Sequence, residues 1–138
     1  MPSNASARVA SLYETAAPKP AAERLVEVHD GMIAKLAEAR RAIEAGDIEQ
    51  RFVASRQAGD VIDVLYISLD MENGGDVAHN LRRLYAYFNR RLIELNSKND
   101  PAICDELAAR LRELRDAWDA IARPASPAAS PLGTAVSA

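Results

Sequence analysis

Apolar residues recur along this chain at three- and four-residue steps in four stretches, the period of helices that bury one face. The first stretch predicts a helix over residues 21–45, with Leu25, Val28, Met32, Ile33, Leu36 and Ile43 inward and Lys35, Glu38, Arg40 and Arg41 outward. Gly46 ends it. Asp47 then stands as an N-cap with Gln50 three residues on, a pairing that satisfies orphan amides at a helix start. The second helix should run over residues 48–71 on Ile48, Phe52, Ile62, Leu65, Tyr66 and Leu69, its face widened by Val61 and Val64. Its middle is small: Ser55, Ala58 and Gly59 allow another helix to approach closely, and Gly59 costs about 1 kcal/mol of helix propensity relative to alanine.

Asn73-Gly74-Gly75 breaks the pattern, and Asp76 is placed to cap or charge-stabilise the start of the next helix. Val77, Leu81, Leu84, Phe88, Leu92 and Leu95 then form the stripe of a third helix. Residues 96–99 read as a polar connection, and Asp100-Pro101 as a cap followed by proline at the first helical position. The fourth stripe is Ile103, Leu107, Leu111, Leu114, Trp118 and Ile121. Helices of about 20 residues joined by short connections predict an all-α, antiparallel up-down-up-down four-helix bundle over residues 21–123. Such a bundle functions as a monomer or exchanges a helix in a swapped dimer, and the sequence leaves both open.

The two ends differ from this core. Residues 1–20 are rich in Ser, Ala and Pro yet hold Val9, Leu12 and Tyr13 at helical spacing, which suggests a short detachable segment; plain terminal disorder is the alternative. Residues 124–138 lack the apolar density to fold and read as a disordered tail. In 138 residues with 49% hydrophobic content, much of it alanine, and 5% aromatics, the composition favours helices over sheets. A net charge of −3 gives no electrostatic footprint for nucleic acid. No apolar run approaches membrane-spanning length and the amino terminus has no signal-like pattern, so a cytoplasmic protein is expected. Cys104 is the only cysteine, which leaves neither an internal disulfide nor a cysteine metal cluster and makes a core or boundary position the expectation.

Several separated blocks carry a resemblance: LVEVHDGMIAKL, IEAGD, SLD, GGDVAHNL, LYAYFNRRLIELN, KND and LRELRDAW. In this order, over residues 23–122, the chain resembles the flagellar secretion chaperone family (FliS), cytosolic proteins that hold flagellin before export. The resemblance implies a non-enzymatic four-helix bundle without cofactor that binds the carboxy-terminal segment of flagellin and prevents premature polymerisation. Other flagellar regulators are further candidate partners. His29 stands where the family usually has tyrosine in a Tyr-Asp-Gly-like block, and a packing role with its polar edge at the bundle surface is expected. Only Tyr13 is carried over from the family's leading segment, here with Leu12 beside it, and the two are expected to cover an empty client groove as a removable lid.

Helices two and three hold more apolar positions than one buried stripe requires. The surplus has two uses: a wider core, or a groove for a partner helix. On the second reading Ile62, Leu65, Tyr66, Leu81, Tyr85 and Phe88 form the client surface. His29 and Asp30 point about 100° apart on a helix and hold no metal together, and no paired metal-ligand spacing occurs elsewhere. His79 lies off the apolar stripe, and HNLRR resembles the His-x-Leu-Lys-Gly pattern of histidine phosphotransfer domains, with Arg82 in place of lysine. Arg83, however, replaces the glycine that makes room for a receiver. A solvated histidine is the simpler reading, with a phosphotransfer module or a helical adaptor for another client as the alternatives. The pairs Arg82/Arg83 and Arg90/Arg91 read as solvated surface, with Glu94 placed to meet one of the second pair.

Overall fold

A computed structural model of the chain describes residues 19–124. The expected amino-terminal segment with Leu12 and Tyr13, and the tail from residue 125 onward, lie outside them. Four helices succeed one another: α1 Lys19–Ala45, α2 Ile48–Ile67, α3 Gly75–Lys98 and α4 Pro101–Ala122. The fold is all-α, as the periodicity requires, and no strand occurs among the described residues.

The chain divides into two compact units, one of Gly31–Arg110 and the other of the residues up to Asp30 together with those from Leu111 onward. The larger unit holds the last part of α1, all of α2 and α3 and the first part of α4, and is itself a bundle with up-down-up-down connections. Its core is Met32, Leu36, Ala39, Ala42, Ala54, Ala58, Ile62, Leu81, Tyr85, Phe88, Leu92, Leu95, Ile103 and Leu107. Arg40 ties α1 to α4 through Asp105 at 3.0 Å. In the smaller unit Ala22, Val26 and His29 of α1 are buried, as are Leu111, Leu114, Ala117, Trp118 and Ala122 of α4. There Arg115 Nε donates to Asp30 Oδ1 at 3.0 Å.

Local chemistry sets each boundary. The described part of α1 opens at Lys19 and takes in the expected start at residue 21. Asp47 accepts from the Gln50 amide at 3.0 Å and starts α2 where the cap pattern indicated. α2 stops at Ile67, four residues short of the expected end. Ser68 Oγ donates to the Val64 carbonyl at 2.7 Å, and Asp70 accepts from the Asn73 amide at 3.1 Å, so side chains take over the backbone groups of that turn. Asp76 lies inside the first turn of α3, where it meets the helix dipole but does not cap; Gly74 holds the cap position. A Cβ on Gly74 would lie 2.5 Å from the Asp70 carbonyl oxygen, so glycine is required there. α3 continues to Lys98, and the expected connection over 96–99 shrinks because Asn99 adopts the left-handed conformation, φ 54°, that closes the helix. Asp100 Oδ1 accepts from the Ala102 amide at 2.9 Å and leads Pro101 into α4.

Burial corrects the expected faces. On α1, Leu25, Val28, Ile33 and Ile43 are only half-buried, while Ala22, Ala39, Ala42 and His29 take the inner positions beside Met32 and Leu36. α2 is rotated from its expected face: Arg51, Ala54, Ser55, Ala58 and Ile62 are buried, whereas Ile48, Phe52 and Val64 are exposed. Small residues on the inner side let the helix sit close to its neighbour, and that turns the large ones outward. Val77 and Leu84 on α3 and Ile121 on α4 are half-buried, displaced from the innermost line by Ala78, Tyr85 and Ala122.

Candidate functional site

α2 and α3 run antiparallel and close together, joined by a ladder of polar contacts. At one end Arg51 donates from Nε to Asn96 Oδ1 at 3.1 Å and from Nη1 to Asn99 Oδ1 at 2.7 Å. One turn on, Asn96 Nδ2 donates to Ser55 Oγ at 2.9 Å. Further along, Asn89 Nδ2 donates to Asp63 Oδ1 at 3.0 Å. At the far end Arg82 Nε donates to the Tyr66 hydroxyl at 3.0 Å, with its guanidinium 5.8 Å from the ring centre.

Between these rungs Gly59 faces Leu92, and the missing side chain leaves a shallow depression. The resulting groove has a volume of about 370 Å³ and is open to solvent along its length. Gly59, Ser55 and Leu92 form its floor; Phe52, Arg56 and Asp60 on α2 and Ile93 on α3 form its walls. Phe52 is 49% exposed and Ile93 70% exposed, so two large apolar side chains stand in water on opposite rims. Exposed pairs of this kind flanking a concavity are what an amphipathic helix covers.

The residues expected to form the client surface fall into two groups. Ile62, Leu81, Tyr85 and Phe88 are core, Tyr85 being only 2% exposed, so they present little surface to a partner, and none of them lines the groove. Leu65 and Tyr66 are half-buried and reach the surface. Leu12 and Tyr13 are outside the described residues. Sequence reasoning misses Ile93, Asn89, Asn96 and Arg51, and it takes Phe52 for core. The small run of Ser55, Ala58 and Gly59 is the signal for the close α2 and α3 approach; Ile93, one position off the Leu92 stripe, marks the rim beside it.

The other candidates resolve into structural roles. His29 is fully buried, against the expectation of a polar edge at the surface. Its Nδ1 lies 2.7 Å from the Leu25 carbonyl, which accepts the Nδ1 proton, while Nε2 is buried without a hydrogen-bond partner. Burial lowers its pKa, against smaller opposing effects of the Leu25 carbonyl and Asp30. Cys104 is fully buried, and desolvation pushes its thiol up to about 11, which makes it unreactive. His79 is exposed on α3. Nearby on the sequence, Arg83 donates to Asn80.

On the α3 and α4 side, Glu106 accepts from the Tyr87 hydroxyl and from Arg91, whose Nη2 is 2.7 Å away. The Tyr87 hydrogen bond, with Arg91 behind it, holds the Glu106 carboxyl below its ordinary range. Arg91 also meets Glu94 at 2.7 Å, the pair anticipated from helical spacing. Arg90 and Arg110 place their guanidinium groups 5.8 and 5.1 Å from the Tyr87 ring centre. This cluster is a satisfied surface network. Among the described residues no group of three or more His, Cys, Asp or Glu side chains is arranged for a metal ion, and no helix is long and apolar enough to cross a membrane.

Residues 3–125 match the family model described as flagellar protein FliS. The chain is 39% identical to flagellar secretion chaperone FliSB of Pseudomonas aeruginosa over 99 residues, 71% of this chain and 79% of that protein. It is 36% identical to flagellar secretion chaperone FliS of Salmonella typhimurium over 115 residues, 82% of this chain and 85% of that one. The Vibrio cholerae flagellar secretion chaperone FliS is 36% identical over 91 residues, 66% of this chain and 67% of its own.

Proposed function

This chain belongs to the FliS family, a family of flagellar secretion chaperones and not of enzymes, and on that premise we propose that its client is the carboxy-terminal segment of flagellin, seated in the α2/α3 groove. The observation that carries this reading is the exposure of Phe52 and Ile93 on the two rims of a groove floored by Gly59 and Leu92. Leu65 and Tyr66 extend the client surface toward the α2 carboxy end.

The mechanism is capping by burial. A client helix that uses its apolar face for filament assembly is both aggregation-prone and ready to nucleate polymer while that face is wet. Laying the face over Phe52 and Ile93 removes it from water and withholds it from other subunits. The segment is disordered when free, so its ordering cost is offset by the apolar area it covers, at about 25 cal/mol per Å². No cofactor or covalent step enters. The chaperone acts in the cytoplasm, before export, and Leu12 and Tyr13 of the leading segment serve as a removable cover for the empty groove.

Light scattering of flagellin under polymerising conditions tests the reading. Stoichiometric chaperone should suppress filament growth, and Phe52→Ala with Ile93→Ser should restore it while the far-UV circular dichroism stays that of the wild type. Suppression that survives both substitutions would place the client elsewhere on the molecule.

A further inference from the structure

The outward charges of α2 and α3 complement one another but do not meet. Neighbours across the two helices fix their register: Asn96 donates to Ser55 at 2.9 Å, Leu92 faces Gly59, and Asn89 donates to Asp63 at 3.0 Å. On that register Arg56 stands within about one residue, about 1.5 Å of helix rise, of the height of Glu94, and Asp60 within the same of Arg90. A cation and an anion therefore share each height. Arg56 and Asp60 stand on the groove wall, whereas Arg90 and Glu94 each lie two residues from the buried Leu92, about 160° around α3 from it, on the side turned from the core. Arg56, Asp60 and Arg90 are exposed and enter no ion pair among the described residues. Glu94 meets Arg91 and Lys98 through Oε2 alone, and its Oε1 takes no hydrogen bond among the described residues.

The apolar surface repeats the arrangement. Ile93, 70% exposed, stands level with Gly59, where the groove lacks a side chain. Rotation by 180° about an axis parallel to the helices leaves every height unchanged and lays α2 of one copy on α3 of the other. That single operation brings Arg56 to Glu94, Asp60 to Arg90 and Ile93 to the Gly59 depression, each of them twice. A face that complements itself about a two-fold axis is an isologous interface.

We propose that the α2/α3 face docks a second copy of this chain, with Ile93 seated in the partner's groove and Arg56 and Asp60 paired with the partner's Glu94 and Arg90. Each copy presents about 30 Å of two helices roughly 10 Å wide, a face of about 600 Å². Twice that area is at the low end of specific interfaces, so the dimer is weak and reversible, in the micromolar to millimolar range. The second copy fills the groove that the proposed function gives to flagellin, so, resting on that reading, dimer and client complex exclude each other. The leading segment, given the same place by that reading, competes from within the chain, and the second copy prevails as the concentration rises.

Sedimentation velocity of the full chain, from about 10 µM to about 1 mM, tests the dimer. The sedimentation coefficient should climb from the monomer value toward that of a dimer; a monomer at every concentration overturns the proposal. Asp60→Arg sets an arginine against the partner's Arg90, and Arg90→Asp sets an aspartate against the partner's Asp60. Both positions are exposed, so each variant alone should weaken the dimer at least about tenfold with the helical spectrum unchanged. Mixing the two variants should restore association, as should both substitutions in one chain. Association that ignores the single substitutions, or that neither combination restores, overturns the proposed contacts. Adding a synthetic flagellin carboxy-terminal peptide to the wild type should then replace the dimer by a one-to-one complex. A dimer that persists with peptide bound overturns the exclusion and the client's place in the groove, while leaving the interface standing.

Discussion

A Cβ built on Gly59 of α2 would lie 3.4 Å from Leu92 Cδ1 of α3, an ordinary van der Waals contact. The two helices therefore approach to the distance at which one methyl group just fits. Gly59→Ala should raise stability by up to about 1 kcal/mol, since it removes the helix cost of glycine without a clash. The midpoint of urea unfolding measures this; a lower midpoint would mean that α2 and α3 sit closer than the structure places them.

Tyr85 and Phe52 separate core from surface. Truncating the buried Tyr85 to alanine should cost about 3–5 kcal/mol, as for other large aromatic deletions, and should lower the thermal midpoint sharply. Phe52→Ala, at an exposed position, should change stability by no more than about 0.5 kcal/mol yet weaken client binding. Thermal melts alongside calorimetry check both. A stable Tyr85→Ala protein with impaired binding would return Tyr85 to the client surface.

His29 makes stability depend on pH. Its ordinary pKa of 6.5 holds in the unfolded chain, and burial lowers it in the folded one. Below 6.5 the unfolded chain binds a proton that the folded chain refuses, so stability is complete above 6.5 and falls as the pH drops toward the folded pKa. The contribution is at most about 1.4 kcal/mol per pH unit. Asp30, beside it, is engaged by Arg115 and offers only partial compensation. Urea midpoints at pH 7.5 and 5.5 should differ less for His29→Leu, and for His29→Gln, than for the wild type. An identical difference in all three would mean that His29 is protonated within the fold.

Period and caps make the four helices legible, and the cap at Asp47 and the break at Gly74-Gly75 are readable to within a residue or two. What the period does not give is the orientation of α2. Its large residues Ile48, Phe52 and Val64 are spaced like a core face, but a helix that packs through Ala54, Ser55 and Ala58 turns them to solvent. Hydrophobicity scales rank these small residues low, so the stripe points the wrong way. The same error hides the groove, because the spacing assigns Phe52 to the interior and the polar rungs Arg51, Asn96 and Asn99 come from positions 45 or more residues apart. His29 is misplaced for a related reason: histidine is ordinarily partly exposed, and only the fold shows a carbonyl taking its Nδ1 proton in the interior.

On the proposed function, this chaperone holds flagellin by its carboxy-terminal segment. Calorimetric titration of the full chain with flagellin from the same organism, intact and with that segment removed, measures it most directly. Stoichiometric binding to the intact protein with a negative heat-capacity change is expected, with no measurable heat from the truncated one. Undiminished binding of the truncated flagellin would contradict it.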